Sequence, residues 1–398
     1  MDGGRLTAVV SDPPPLSNFP ADMLLEILKR LPAKTLMKLK CVSKYWLNLI
    51  RDSSFAESHL NHARTHRSDA SQLLLACFLR FSVERIKTIF PATNEDLCLS
   101  AQLPSHTFGE DFQPCSNVVN GLVCVCLVVF SRHLHPCIWV PNLTTTEKKA
   151  LPVPPSLELA AKPTTNLHRS SRFYLGFDPV SKKYKILHYH CEVGAYEVLT
   201  LGSETWRQVR GSAATDVDLG LGKIREGFIF QGFGHGGMAS INGRIYFRYV
   251  AERVITFFHL KEEKFGQVAI PQRIEGITFN TDIVDLGGKL SLVVGIYELV
   301  SQLRIWISED DNNNVNWVEK RLTLPDLYYV ETMGVTGNGK LILNCKDIPC
   351  PRIPTYFFCY DLKTFELITA IKMQPYRDPL LYNFVENIVP LDRIGYDN

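Results

Sequence analysis

The stretch Ile241-Asn242-Gly243-Arg244-Ile245-Tyr246-Phe247, continued by Phe258-His259-Leu260-Lys261-Glu262-Glu263-Lys264-Phe265 and closed by Ile270-Pro271, decides the fold. It is a Gly-containing turn, an apolar strand, a second strand, then a polar turn and a strand that ends near proline. Gly and Asn punctuate because they tolerate turn dihedrals that β-branched and aromatic residues avoid. The apolar runs between the turns are short, as strands require, and lack helical spacing.

The same plan recurs in both directions at intervals of about 45 to 60 residues. Towards the N-terminus, one unit runs from Tyr174-Leu175-Gly176-Phe177-Asp178-Pro179 to Trp206, with Leu201-Gly202-Ser203-Glu204 as its late turn. Another begins Asn120-Gly121-Leu122-Val123 and ends Leu151-Pro152. Towards the C-terminus, Gly287-Gly288-Lys289-Leu290 leads through Trp306 and Trp317 to Leu324-Pro325, and Asn338-Gly339-Lys340-Leu341 leads to Tyr360-Asp361-Leu362-Lys363-Thr364. A pair of strand-like runs, Leu73 to Leu79 and Arg85 to Phe90, is the candidate for a sixth unit. Small sheets repeated at this length are propeller blades, since each can bury its faces only against its neighbours. A β-sandwich is the rival that the same alternation permits; the repeats and recurring aromatics favour the propeller. The apolar run Phe384-Val385-Glu386-Asn387-Ile388-Val389-Pro390-Leu391 is left over, and we expect it to close the ring by pairing with the first blade.

Before about Ser71 the periodicity changes. From Asn18 to about His66 apolar residues recur at helical spacing, so the boundary lies near residues 67 to 71. Pro20 presets φ at a helix start, and Leu24, Ile27, Leu28 and Leu31 follow at steps of three and four until Pro32 stops the turn. A second helix from about Thr35 carries Leu36, Leu39 and Val42; a third carries Tyr45, Trp46, Leu49 and Ile50. Three short helices cannot bury this many large side chains among themselves, so the surplus points to a docking face or, as an equal alternative that periodicity does not settle, to a basic bundle packed against the rest of its own chain. Lys29, Arg30, Lys34, Lys38, Lys40, Lys44 and Arg51 are opposed within those helices only by Asp22 and Glu26, a bias that favours an acidic partner. The expected class is α+β multidomain: a flexible N-terminus over 1–15, a small helical domain over 16–66, and an all-β propeller-like domain over 71–398.

Composition excludes several classes. The chain has 398 residues, 45% of them hydrophobic, with ample apolar material for a core. Lys+Arg 43 against Asp+Glu 41 leaves a formal net charge of +2, too balanced for a general nucleic-acid binder. The longest apolar stretch, Leu122 to Phe130, falls well short of the roughly 20 residues a spanning helix needs, so no membrane partner is expected. Met1 to Pro15 lacks an apolar signal region, and the 11 cysteines are scattered, which fits reduced thiols and an intracellular protein of cytoplasm or nucleus.

Leu16-Ser17-Asn18-Phe19-Pro20-Ala21-Asp22-Met23-Leu24-Leu25-Glu26-Ile27-Leu28-Lys29-Arg30-Leu31-Pro32, with Leu36, Leu39, Cys41-Val42-Ser43-Lys44 and Trp46, resembles the F-box of plant F-box proteins. The family's usual Leu-Pro is Phe19-Pro20 here, which keeps an apolar anchor. The resemblance implies docking onto the Skp-type adaptor of a cullin-RING ubiquitin ligase. Matched residue by residue, the expected contacts are Phe19, Pro20, Leu24, Ile27, Leu28, Leu31, Pro32, Leu36, Val42, Trp46 and Ile50.

The region after residue 70 resembles the F-box-associated domain of the same proteins. The matching stretches are Tyr174 to Pro179 with Tyr184-Lys185-Ile186, Leu201-Gly202-Ser203 with Trp206-Arg207, Ile241-Asn242-Gly243, Ile305-Trp306-Ile307 and Val385-Glu386-Asn387-Ile388-Val389. Trp139-Val140-Pro141-Asn142-Leu143-Thr144 departs from it, since the family usually has Asn before Pro. The resemblance implies a domain that captures an unnamed target protein for ubiquitination. The chain is then a non-catalytic substrate receptor that works by proximity, with no cofactor and no metal. An enzyme using the propeller's funnel and an adaptor-binding scaffold outside any ligase are the competing readings.

Motifs for chemistry are sparse. Gly232 to Gly237 satisfies G-x-G-x-x-G but precedes a strand-like run, whereas the dinucleotide fingerprint opens a helix. Gly334 to Lys340 approaches a phosphate loop, but Leu341 stands where Ser or Thr would ligate magnesium. His133, His135 and Cys137, and His188, His190 and Cys191, cluster without zinc-motif spacing. His59, His62 and His66 share a helical face, read as a solvated linker helix. Asn142-Leu143-Thr144 is a glycosylation sequon with no role in an unsecreted chain. The Gly-rich connection from Gly211 to Gly237 is read first as a plain flexible surface excursion, with a target-contacting loop as the alternative; the substrate-binding residues are unknown.

Overall fold

Asn120-Gly121, Asn242-Gly243 and Gly287-Gly288 each have positive φ at both residues, the backbone of the tightest hairpin turns, and each joins the first two strands of a small antiparallel sheet. The computed structural model describes residues 20–65, 72–79, 82–91, 97–102, 113–129, 135–159, 171–190, 193–209, 238–247, 253–270, 272–274, 281–295, 298–309, 316–335, 339–347, 355–373, 380–392 and 394.

Four helices come first: α1 (Ala21–Leu28), α2 (Ala33–Lys40), α3 (Lys44–Arg51) and α4 (Ser53–Thr65). The first sheet is β1 (Gln72–Leu79), β2 (Ser82–Pro91) and β3 (Leu97–Gln102), and the second is β4 (Gln113–Val119), β5 (Leu122–Val129), β6 (His135–Pro141) and β7 (Lys148–Leu151). After a short helix, α5 (Pro155–Leu159), the third holds β8 (Ser171–Asp178), β9 (Lys183–His190), β10 (Ala195–Thr200) and β11 (Arg207–Gln208). The fourth is β12 (Met238–Ile241), β13 (Arg244–Phe247), β14 (Val254–His259) and β15 (Lys264–Ala269).

The fifth and sixth blades share a strand. β16 (Thr281–Leu286), β17 (Lys289–Val294), β18 (Leu299–Ser308), β19 (Trp317–Val335), β20 (Lys340–Lys346), β21 (Thr355–Asp361) and β22 (Leu367–Met373) form one continuous sheet. The first half of β19 is the outer strand of the fifth blade, and its second half is the inner strand of the sixth. At the crossover Gln302 pairs with Thr323 but Val300 with Tyr328, a bulge centred on Leu324-Pro325, where proline has no N–H to offer a ladder.

β23 (Leu380–Phe384) pairs antiparallel with β1 and closes the ring, with β23 lying against both β19 and β4. Closure therefore uses a terminal strand, but the strand lies upstream of the expected run: only Phe384 of that run belongs to it, and Val385 onward leaves the sheet.

Apolar clusters sit between neighbouring blades, as the propeller argument requires. Tyr174, Leu187 and Tyr196 of the third blade pack on Ile245, Phe258 and Leu260 of the fourth. The approach is so close that a Cβ on Gly176 would lie 2.7 Å from Leu260 Cδ1, which is why the Leu-Gly-Phe stretch carries no side chain there. Polar ties accompany the packing: Leu175 N donates to Asn117 Oδ1 at 3.2 Å and Lys185 Nζ donates to Leu260 O at 2.7 Å.

Two helical expectations change. α1 ends at Leu28, and Pro32, in extended backbone at φ −57 and ψ 143, precedes α2. The surplus apolar surface is partly absorbed by a fourth helix, α4, whose Phe55, Ala56 and Leu60 are buried. No helix among the described residues is long and apolar enough to cross a membrane.

Candidate functional site

The helical core consists of Leu28, Ala33, Leu36, Trp46, Ile50, Phe55 and Ala56, together with Ile388 from the segment that follows β23. Ser43 Oγ caps α3 by accepting from Trp46 N, and Asp52 Oδ1 caps α4 by accepting from Phe55 N at 3.0 Å. These caps hold the indole of Trp46 inward, where it is 7% exposed.

The expected contact residues thus fall into two groups. Leu28, Leu36, Trp46 and Ile50 are buried in the helical core, so in this conformation they shape the surface from beneath. Pro20, Ile27, Pro32 and Val42 are exposed, Leu24 and Leu31 are half-buried, and Phe19 lies outside the described residues. Large apolar groups reach water at Met23 (54%), Ile27 (49%), Val42 (69%) and Tyr45 (42%). Met23 and Tyr45 were missed as contacts, although Met23 stands four before Ile27 on the same stripe of α1 and Tyr45 lies in the first turn of α3, just after the turn that holds Val42. Lys34, Lys38 and Lys44 are exposed around them. Lys40 has its pKa lowered, chiefly by burial and against the pull of Glu147.

The segment after β23 ties the helices to the ring. Glu386 Oε2 accepts from Ala33 N at 2.7 Å, placing a carboxylate at the start of α2, where the backbone N–H groups are otherwise unpaired. Asn387 is fully buried: its N donates to Thr144 Oγ1, its Nδ2 to Asn120 O and its Oδ1 accepts from Val389 N, each at 2.9 Å. Asn142 Nδ2 donates in return to Asn387 O at 2.8 Å, so the residue that departs from the family pattern anchors this segment in an intact blade. Gly121, at φ +72, would bring a Cβ to 2.7 Å from Val385 O. Two surface contacts add to the junction: Lys182 Nζ lies 3.2 Å from Glu57, and the Arg64 guanidinium sits 4.9 Å from the Phe177 ring centre.

His59 corrects the linker expectation. It is 2% exposed, its Nε2 donates to Leu31 O at 3.0 Å, and burial holds its pKa below the ordinary range. His188 and His190 are likewise fully buried. His188 Nδ1 lies 3.1 Å from Glu197 Oε2 and its Nε2 3.2 Å from Ser171 Oγ, a nucleophile-base-acid order in outline. Phe173 covers the imidazole at 4.5 Å between ring centres, and a wholly buried base offers a substrate no approach. Burial lowers the His188 pKa. At Glu197 burial alone would raise it, but hydrogen bonds from His188 and Ser156 outweigh that and hold the carboxylate charged.

Among the described residues no group of three His, Cys, Asp or Glu could hold a metal ion. Cys191, His133, His66 and residues 211–237, including the G-x-G-x-x-G stretch and the Gly-rich connection, lie outside the described residues.

Comparison with known proteins agrees with this division. The F-box domain matches residues 16–58, and the F-box associated beta propeller domain matches residues 77–382. An Arabidopsis thaliana F-box protein is 25% identical over 96% of this chain and 91% of its own. A second is 25% identical over 93% of this chain and 89% of its own. A putative F-box protein of the same plant is 28% identical over 77% of this chain and 68% of its own.

Proposed function

The chain belongs to the F-box proteins that carry an F-box associated β-propeller, and on that premise we propose that it is the substrate-recognition subunit of a Skp-cullin-F-box ubiquitin ligase. Its helices hold the Skp-type adaptor, and through it the cullin and RING subunits; its propeller holds a target protein. The observation that carries this reading is the group of exposed apolar side chains, Met23, Ile27 and Tyr45 on the helices and Val42 in the turn after α2, lying among lysines over a core that Ile388 completes. Side chains left in water above a complete core gain by covering with another polypeptide.

The subunit itself does no chemistry. Holding a target and a ubiquitin-charged enzyme on one frame replaces a diffusive encounter by an effective concentration. The junction at Glu386, Asn387 and Ile388 serves this role, because a fixed angle between helices and ring keeps target lysines within reach.

Ile27→Asp and Val42→Asp test the reading. Both positions are exposed, so each variant should retain its melting temperature, a surface change being worth within about 0.5 kcal/mol. Each should lose capture of a recombinant Skp-type adaptor, as a charge at an interface centre removes a large share of affinity. Full capture by the folded double variant would overturn the assignment.

A further inference from the structure

Val385, Glu386 and Asn387 alone separate the strand that closes the ring from the residue that completes the helical core. β23 ends at Phe384, and Ile388 packs among Leu28, Leu36, Trp46 and Ile50. An extended chain advances at most about 3.6 Å per residue, so a connection this short absorbs little movement at either end. It is also pinned throughout. Val385 O lies against Gly121, Glu386 Oε2 accepts from Ala33 N, and Asn387 bonds to Asn120, Asn142 and Thr144 of the second blade. Beyond Ile388, Leu391 N donates to Glu147 Oε2 at 3.0 Å and Leu391 O accepts from Lys149 Nζ at 3.3 Å.

The two ends of this connection hold different parts of the molecule. β23 pairs with Gln72 to Ala76 of β1 along one edge only, and a terminal strand paired on one edge is among the parts of a fold that open most readily. At the other end a fully buried isoleucine stands beneath the helices, and a carboxylate meets the start of α2. Two states are thereby defined, seated and released. In the released state β23 leaves β1, Ile388 leaves the helical core and Ala33 N loses its acceptor. The other blades keep their own pairings, so release is local and leaves the rest of the ring standing.

We propose that residues 385–391 form a strap that couples adaptor binding to closure of the ring. The coupling rests on the reading of the helices as the adaptor's dock and adds regulation to it. An adaptor covering Met23, Ile27, Val42 and Tyr45 lies on a surface that Leu36, Trp46 and Ile50 support from beneath, so it binds the seated state more tightly than the released one. Binding then depopulates the released state and holds β23 on β1. The effect is reciprocal: a ring held closed raises the affinity of the helices for the adaptor by the same factor. A receptor whose ring stands open is therefore disfavoured in the ligase.

Hydrogen–deuterium exchange of the full chain, read by mass spectrometry with and without a saturating recombinant Skp-type adaptor, tests the strap. The adaptor should slow exchange over residues 380–384 and 72–76 at least about fivefold and leave β9 in the third blade unchanged. In Ile388→Ala that protection should vanish although the saturating adaptor still covers the helices. In the reverse direction, the double variant Leu381→Pro/Tyr382→Pro removes a ladder donor, because neighbouring N–H groups of a strand point to opposite edges. It should weaken adaptor binding at least about fivefold, whereas Gly176→Val, a lesion of the ring away from the strap, should leave it unchanged. Should the proline variant lose its β signal in circular dichroism, the exchange measurement decides by itself. Adaptor bound with no change over 380–384 would overturn the coupling and leave the docking reading standing. If no adaptor binds, the docking reading fails instead, and Ile388→Ala in the free chain decides on the strap. Exchange over 380–384 faster by at least about fivefold sustains it, and unchanged exchange overturns it.

Discussion

In the ring, Leu260 and Ile245 of one blade press against Gly176 of the next, and comparable clusters lie between the second and third, the fourth and fifth, and the fifth and sixth blades. In the helices, Leu36, Trp46 and Ile50 belong to a core completed by Ile388, with Val389 packed against it, both supplied by the opposite end of the sequence. The ring distributes its stability over repeated interfaces, each resembling the others. The helical unit is too small to fill its own core and borrows the last piece. A lesion in one blade interface should thus be partial, whereas a lesion in the borrowed segment should strike the whole docking unit.

Ile388→Asp puts the largest strain on this contrast. A carboxylate placed at a fully buried position should destabilise the helices by more than about 3 kcal/mol. Limited proteolysis should cut residues 20–65 first while the β signal in circular dichroism persists. Simultaneous loss of both signals would show that the two regions fold as one unit.

Gly176→Val is the matching change in the ring. Its β-carbon would meet Leu260 Cδ1 at 2.7 Å, and overpacking of this kind costs about 1–3 kcal/mol. The urea midpoint should fall while adaptor capture survives, since no docking residue is touched.

Acid should weaken both regions through one buried histidine in each. Burial lowers the pKa of His188 and of His59, so the unfolded chain, titrating near the ordinary 6.5, takes up a proton where the folded one does not. Stability should be constant above about pH 7 and fall as the pH drops through the unfolded value. Glu197, held below its ordinary range, adds a further loss below about pH 4.5. His188→Gln should leave a melting-temperature profile with only the slope due to His59; an unchanged slope would mean that His188 is not kept neutral by the fold.

Lys182→Ala should have the smallest effect. The Lys182–Glu57 pair joins ring to helices but is 67% and 45% exposed, and such pairs contribute no more than about 1 kcal/mol. A larger loss would mean that the junction rests on surface charge and not on Glu386, Asn387 and Ile388.

Much of this architecture was legible in the chain. Asn120-Gly121, Asn242-Gly243 and Gly287-Gly288 marked hairpins because positive φ at consecutive residues leaves few alternatives to Gly and Asn. The strand pair Leu73 to Leu79 and Arg85 to Phe90 emerged as the first two strands of the opening blade, but its third strand, Leu97–Gln102, carries no turn signal strong enough to announce it. The strand shared by the fifth and sixth blades was read as two units because Leu324-Pro325 looks like an end. The helical apolar residues were read as one docking set because periodicity finds a face without saying what covers it.

The sequence by itself determined the local elements: amphipathic helices, tight hairpins and the glycines between them follow from dihedral limits and side-chain spacing over a few residues. Tertiary structure alone decided that Trp46 and Ile50 are sealed while Ile27 and Val42 face water, and that turns from two blades gather lysines and an arginine into one recess. The reason is physical: burial and charge clustering depend on which distant segments meet, and Ile388, Glu386 and Glu263 reach their partners only when the ring is complete.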